Sequence, residues 1–173
     1  MNKENNKEIE RKFLVDDRND SWRKAEYSEI RQGYLSVDKH RTVRIRTAGD
    51  SAYLTIKGIT EGATRAEYEY PIPLAHANEM LDTLCLRPLI EKHRYRVDYH
   101  GLIWEVDEFY GDNSGLIVAE VELESEQHVF DKPPWVGEEV TDNPRYYNAN
   151  LVNNPYSPRC KQFRRPGATP NAT

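Results

Sequence analysis

Glu8-Ile9-Glu10-Arg11-Lys12-Phe13-Leu14-Val15 decides the reading of this chain. With a period of two it puts Glu8, Glu10 and Lys12 on one face and Ile9, Phe13 and Val15 on the other. One strand of that kind is ordinary. What is unusual is the repetition, because later segments also carry charges in i, i+2 pairs. Arg44 and Arg46 share a face, as do Arg65, Glu67 and Glu69, then Lys92 and Arg94, then Glu105 and Asp107, then Glu120 and Glu122.

A length of 173 residues suggests one domain, expected over 1–163 with a flexible tail over 164–173. Hydrophobic residues make up 38% and charged ones 31%, but eleven Tyr and three Trp argue against disorder. A net charge of −5 lowers the weight of duplex nucleic acid as a partner. Two cysteines, Cys85 and Cys160, make no metal or disulfide framework, so a cytoplasmic setting fits. Met1 to Lys7 lacks the apolar core of a signal peptide, and no window approaches 18 apolar residues, so no membrane association is expected. The oligomeric state stays open, a homodimer included.

In order, strands are expected at about 8–15, 28–36, 42–47, 52–57, 64–72, 89–99, 102–109 and 116–124. Ala48 to Ser51 reads as a hairpin turn and Gly58 to Ala63, with two glycines, as a loop. Pro73 to Leu84 breaks the alternation, and Leu74, Ala77, Met80, Leu81 and Leu84 recur at helical spacing. A short helical turn is expected at Ser21 to Ala25. The stretch around Pro133, Pro134 and Gly137 reads as a loop, and a second helix is expected over Asn143 to Val152. The fold class is mainly β with a few helices.

Acids dominate strands one, five and eight, and bases dominate three, four and six. Ordinary solvent faces mix polar residues without such segregation. Eight strands suffice to close a barrel whose interior holds side chains or one small ligand. Closure would bring strand eight beside strand one and Glu8 and Glu10 towards Glu120 and Glu122. Four carboxylates so close would raise one another's pKa unless a divalent cation neutralised them. An all-oxygen ligand set suits Mg²⁺ or Mn²⁺ rather than zinc. Arg44, Arg46, Lys57, Lys92 and Arg94, with Lys12 between, would face the acids and hold phosphate oxygens. A lumen held by ion pairs alone is disfavoured by the cost of desolvation. Trp104 has outward parity. Trp22 and Trp135, in expected loops, are within reach of a mouth. Glu124, Arg65, Arg96 and Asp98 have inward parity near strand ends and read as solvated rim.

These residues resemble the CYTH superfamily, the triphosphate tunnel metalloenzymes. Glu8-Ile9-Glu10-Arg11-Lys12 is similar to its ExExK signature. Arg44 and Arg46, Lys57, Glu67 and Glu69, Lys92 and Arg94, Asp107, and Glu120 and Glu122 follow in the family's order. The resemblance implies an eight-stranded antiparallel tunnel with a C-terminal helix plugging one mouth. It also implies divalent-metal-dependent hydrolysis of inorganic triphosphate, most as in small bacterial members. Glu8, Glu10, Glu120, Glu122 and Asp107 would be metal ligands, and Glu67 and Asp107 would support a second ion or orient water. Lys12 would be a phosphate ligand or a proton-transfer group; a lysine among carboxylates stays protonated, which favours the first. Adenylate cyclase, thiamine triphosphatase and a non-catalytic polyphosphate- or nucleotide-binding module are the alternatives.

Overall fold

The computed structural model describes residues 7–16 and 18–156. Nine strands follow the expected alternation: β1 (Lys7–Val15), β2 (Tyr27–Ser36), β3 (Thr42–Ala48), β4 (Ser51–Glu61), β5 (Thr64–Pro71), β6 (Ile90–Tyr99), β7 (Leu102–Phe109), β8 (Ile117–Glu122) and β9 (Val136–Glu139). Two helices, α1 (Leu74–Thr83) and α2 (Asn148–Asn153), accompany them, with short 3₁₀ turns at Ser21–Lys24, Gly111–Asn113 and Pro144–Tyr146. No described helix is long and apolar enough to cross a membrane. The expected tail over 164–173 and Cys160 lie outside the described residues.

All strand pairs are antiparallel, in the order β5-β4-β3-β2-β6-β7-β8-β1, and β5 also pairs with β1, which closes an eight-stranded barrel. The seam is split along β1. Lys7 to Ile9 pair with β5, whereas Phe13 and Val15 pair on that same edge with β9. β9 is the element absent from the sequence reading; four residues beside two prolines carry too little alternation to declare a strand.

Apolar residues fall into three clusters, two of them outside the barrel wall. Phe13, Trp104, Val106, Ala119, Val121 and Leu123 turn outwards and are covered by Trp22 and Trp135. Trp104 and Trp135 meet edge to face at 5.8 Å. Trp22 and Trp135 therefore build outer core and line no mouth, contrary to the expectation for them. On the other flank, Ile45 and Ala52 receive Ala77, Leu81 and Cys85 from α1 and its end. Gly33 permits that approach: a Cβ there would stand 2.7 Å from Cys85 Cβ.

The third cluster is inside. Tyr34, Ile90, Phe109 and Val118 have lumen parity, and Tyr146, Leu151 and Val152 pack onto them. The C-terminal segment thus stoppers part of the barrel, as expected, but not as one helix. Tyr147 is extended (φ −74°, ψ 131°) and separates the 3₁₀ turn from α2.

A second departure lies in β4. Gly58 to Ala63 is not a loop; β4 continues to Glu61 and only Gly62, at φ +61°, and Ala63 turn the chain. The register shifts by one residue between Lys57↔Glu67 and Thr60↔Arg65, a bulge at Gly58 and Ile59. Glycine at 58, read as a loop signal, marks the bulge instead.

Candidate active site

Strand alternation delivers the charged residues to one cavity of about 940 Å³ inside the barrel. Its lining includes Glu8, Glu10, Lys12, Arg44, Arg46, Lys57, Glu67, Arg94, Glu120 and Glu122. Ten of the twelve residues singled out from the sequence for chemistry therefore share one space. The other two, Lys92 and Asp107, are 2% and 1% exposed and do not line it.

β1 and β8 bring the acids together. Glu10 stands directly across from Glu122, and Lys12 across from Glu120. Glu8 lies beyond the β8 pairing and faces Arg65 of β5 instead. Lys12 Nζ is 2.6 Å from Glu120 and 3.9 Å from Glu10. Burial works against the lysine's charge, yet Glu120 and Glu10 outweigh it and raise its pKa. Burial would likewise raise Glu120, but Lys12, Arg94 and Lys92 hold it well below the usual carboxylate range. Glu10 goes the other way. Burial, then the charge of Glu120, push it from 4.5 to about 8 despite Lys12.

The bases on the other strands are mostly tied to acids. Lys57 Nζ is 2.7 Å from Glu8 and 3.5 Å from Glu67. Burial opposes the ionisation of Glu67, but Lys57 prevails and lowers its pKa. Arg44 and Arg46 share Glu69, at 3.6 and 3.2 Å. Burial and neighbouring Arg44 lower the pKa of Arg46. Arg44 and Arg46 each keep a buried Nε with no hydrogen-bond partner.

Beneath this wall, Asp107 accepts from Arg94 Nε and Nη2, both at 2.7 Å, and from Lys92 Nζ at 2.5 Å. Arg94 reaches on to Glu105 at 2.6 Å and Glu120 at 3.2 Å. Burial would raise Asp107, but its two cations lower it. Burial dominates at Lys92, bringing it down to about 8. Asp107 thus aims Arg94 at the cavity from behind. Among the described residues no three acidic, His or Cys side chains converge closely enough to hold a metal ion as they stand; Lys12 and Lys57 pair with Glu120 and Glu8 instead.

Sequence reasoning missed several lining residues. Tyr34, Thr42, Arg65 and Glu105 reach the cavity from strands, and Tyr147, Asn148 and Asn150 from the C-terminal segment. Arg65 is half-buried rather than solvated rim, while Arg96, Asp98 and Glu124 are exposed as expected. The alternation of β5 does point Arg65 inwards; only its place near a strand end argued for the rim. The histidines lie apart: His93 stacks on Tyr27 at 4.4 Å.

A model of the CYTH domain matches residues 6–156. An inorganic triphosphatase of Acetivibrio thermocellus is 52% identical over 151 residues, spanning 87% of this chain and 96% of that one. An inorganic triphosphatase of Nitrosomonas europaea is 39% identical over 149 residues, spanning 84% and 96%. Among solved structures, the inorganic triphosphatase NE1496 aligns with a TM-score of 0.61 at 35% identity, covering 83% of this chain and 96% of that one. A putative adenylate cyclase from Bacillus halodurans, at 17% identity and a TM-score of 0.57 over 72% of this chain and 85% of that one, shares the fold. The barrel, its charged lumen and the domain match over nearly all the described residues agree: the chain belongs to the CYTH domain family.

Proposed function

We propose that this protein hydrolyses inorganic triphosphate to diphosphate and phosphate with the help of a divalent metal ion. The observation that carries the reading is the cavity inside the barrel, lined by glutamates of β1, β5, β7 and β8 and by bases of β1, β3, β4 and β6. Two relatives named as inorganic triphosphatases, both above 35% identity, support it.

The donor chemistry of the acid wall suits a divalent cation once Glu120 and Glu8 are released from Lys12 and Lys57. Glu10 and Glu122 are like charges directly opposite across a strand pair, an arrangement that is unfavourable without compensation. Burial first, then the charge of Glu120, raises the pKa of Glu10, so its ionised form lacks compensation in this wall. Glu8, Glu10, Glu120 and Glu122 would hold the ion, which supplies charge neutralisation at phosphate oxygens and acidifies water. Oxygen donors suit Mg²⁺ or Mn²⁺.

Arg44, Arg46, Lys57 and Arg94 bind the phosphates and stabilise the charge that builds during transfer. Lys12 stays protonated between Glu10 and Glu120 and acts as a phosphate ligand. Glu67 orients water at the cavity wall. Asp107 and Lys92 serve from behind, since Asp107 fixes the fork of Arg94. Triphosphate binding exchanges the ion pairs of the lumen for contacts to phosphate. A cytoplasmic setting suits the buried free thiol of Cys85.

The test is phosphate release from tripolyphosphate, ATP and thiamine triphosphate, each with Mg²⁺, Mn²⁺ or EDTA, with ATP samples assayed for cyclic AMP. Fast tripolyphosphate turnover that EDTA abolishes is expected. Cyclic AMP with little phosphate release would move the chain to cyclase chemistry.

A further inference from the structure

Among the described residues, one recessed base of the lumen stands outside the ion-pair network. Lys12, Arg44, Arg46, Lys57 and Arg94 each have a carboxylate partner. Of the other bases lining the cavity, Lys39 and Arg65 have none among the described residues. Lys39 is exposed at the rim, but Arg65 is half-buried. Arg65 is nonetheless held in place. Its Nη2 donates to Thr42 Oγ1 and to the Gly58 carbonyl, each at 3.2 Å. Both acceptors are neutral, so they fix the guanidinium without cancelling its charge. Its Nε is buried and has no acceptor.

The bulge in β4 creates this arrangement. The one-residue shift after Lys57 takes Gly58 out of the regular ladder and leaves its carbonyl for Arg65. A recessed cation is costly unless something negative meets it. The acid across β1 is Glu8, and Glu8 is already engaged by Lys57. The unpaired charge therefore faces the cavity.

Position along the wall says which anion. Arg65 Nη2 reaches Thr42, which stands two residues before Arg44 on the same face of β3, about 7 Å at the usual strand rise. Arg44 and Arg46 meet at Glu69. Arg65 thus sits one step along the wall from the Arg44–Arg46 pair, an offset suited to neighbouring phosphates of one chain.

We propose that Arg65, anchored by Thr42 and the Gly58 carbonyl, is a further phosphate-binding residue that grips a terminal phosphate of the triphosphate. The inference rests on the triphosphatase reading and adds a length-sensing contact to it. A diphosphate held at the Arg44–Arg46 end depends on Arg65 less.

R65Q keeps an N–H donor for the anchoring acceptors and removes the charge; R65K keeps the charge. Loss of one charge-assisted contact raises the KM for tripolyphosphate about 10- to 100-fold in R65Q, with kcat within about threefold. Inhibition by diphosphate weakens far less, the melting temperature is unchanged, and R65K recovers much of the KM. An unaltered KM in R65Q overturns the proposal. So does a lower kcat and melting temperature with R65K as impaired as R65Q, the pattern of a purely structural stitch. If wild-type protein turns over no tripolyphosphate, the triphosphatase reading fails by itself. Calorimetric binding of tripolyphosphate to wild type and R65Q then decides: weaker binding to R65Q supports the anion contact, and equal or absent binding to both overturns it.

Discussion

At the scale of single residues, most charges of the described lumen are compensated, and Glu10 and the recessed Arg65 are the ones held least well. Glu10 is the more consequential for stability. Its pKa is raised on folding, from 4.5 to about 8, so between those values the folded state holds a proton that the unfolded state has lost. Stability of the metal-free protein must then fall as pH rises through that window. E10Q has no such proton to lose. Urea unfolding in EDTA from pH 5 to 8.5 should show a decline in wild type that is shallower in E10Q; parallel curves would remove Glu10 as the source. Nearly every charged side chain in this network was legible, because a period-two pattern assigns each to a face. Depth along the barrel was not. Asp107 and Lys92 have the same parity as the lining residues, yet Phe109 and Ile90, two positions along the same strands, bring an apolar stopper beside them. Parity selects a face and says nothing about what fills the space before it.

Elements are where sequence and structure part most. Strict alternation in β3 and β8 gave their extents to within a few residues, and the spacing of Ala77 and Leu81 located α1. Glycine and proline misled in β4 and β9, since the same residues mark loops, bulges and edge strands. Gly33 carries a meaning that appears only in three dimensions. It sits on the outer face of β2, where α1 and Cys85 close over the wall. G33A forces its Cβ into Cys85 and Leu89, and overpacking of this kind costs about 1–3 kcal/mol. Denaturant unfolding checks the loss. Tripolyphosphate turnover at low temperature should persist, because α1 packs outside the barrel; abolished turnover in a folded G33A protein would show that the outer layer controls the lumen.

For the whole molecule, the organisation inverts the usual half-buried sheet. The barrel turns much of its apolar surface outwards, towards α1, Trp22 and Trp135, and keeps charge on the part of its inside that the apolar stopper leaves free. Eight alternating strands and the complementary acids of β1 and β8 made that closure readable. The split seam of β1 was not, since one strand sharing an edge between β5 and β9 leaves no periodic signal. The partial stopper explains how the barrel holds a bounded cavity rather than an open pore. The central claim is that this cavity cleaves a triphosphate with metal assistance. The decisive measurement is phosphorus NMR of tripolyphosphate incubated with the protein and Mg²⁺ or Mn²⁺, with the metal stripped by a chelating resin before the spectrum is taken. Diphosphate and phosphate should appear in equal amounts and EDTA should stop their release; tripolyphosphate left intact with either metal would contradict metal-assisted cleavage in this cavity.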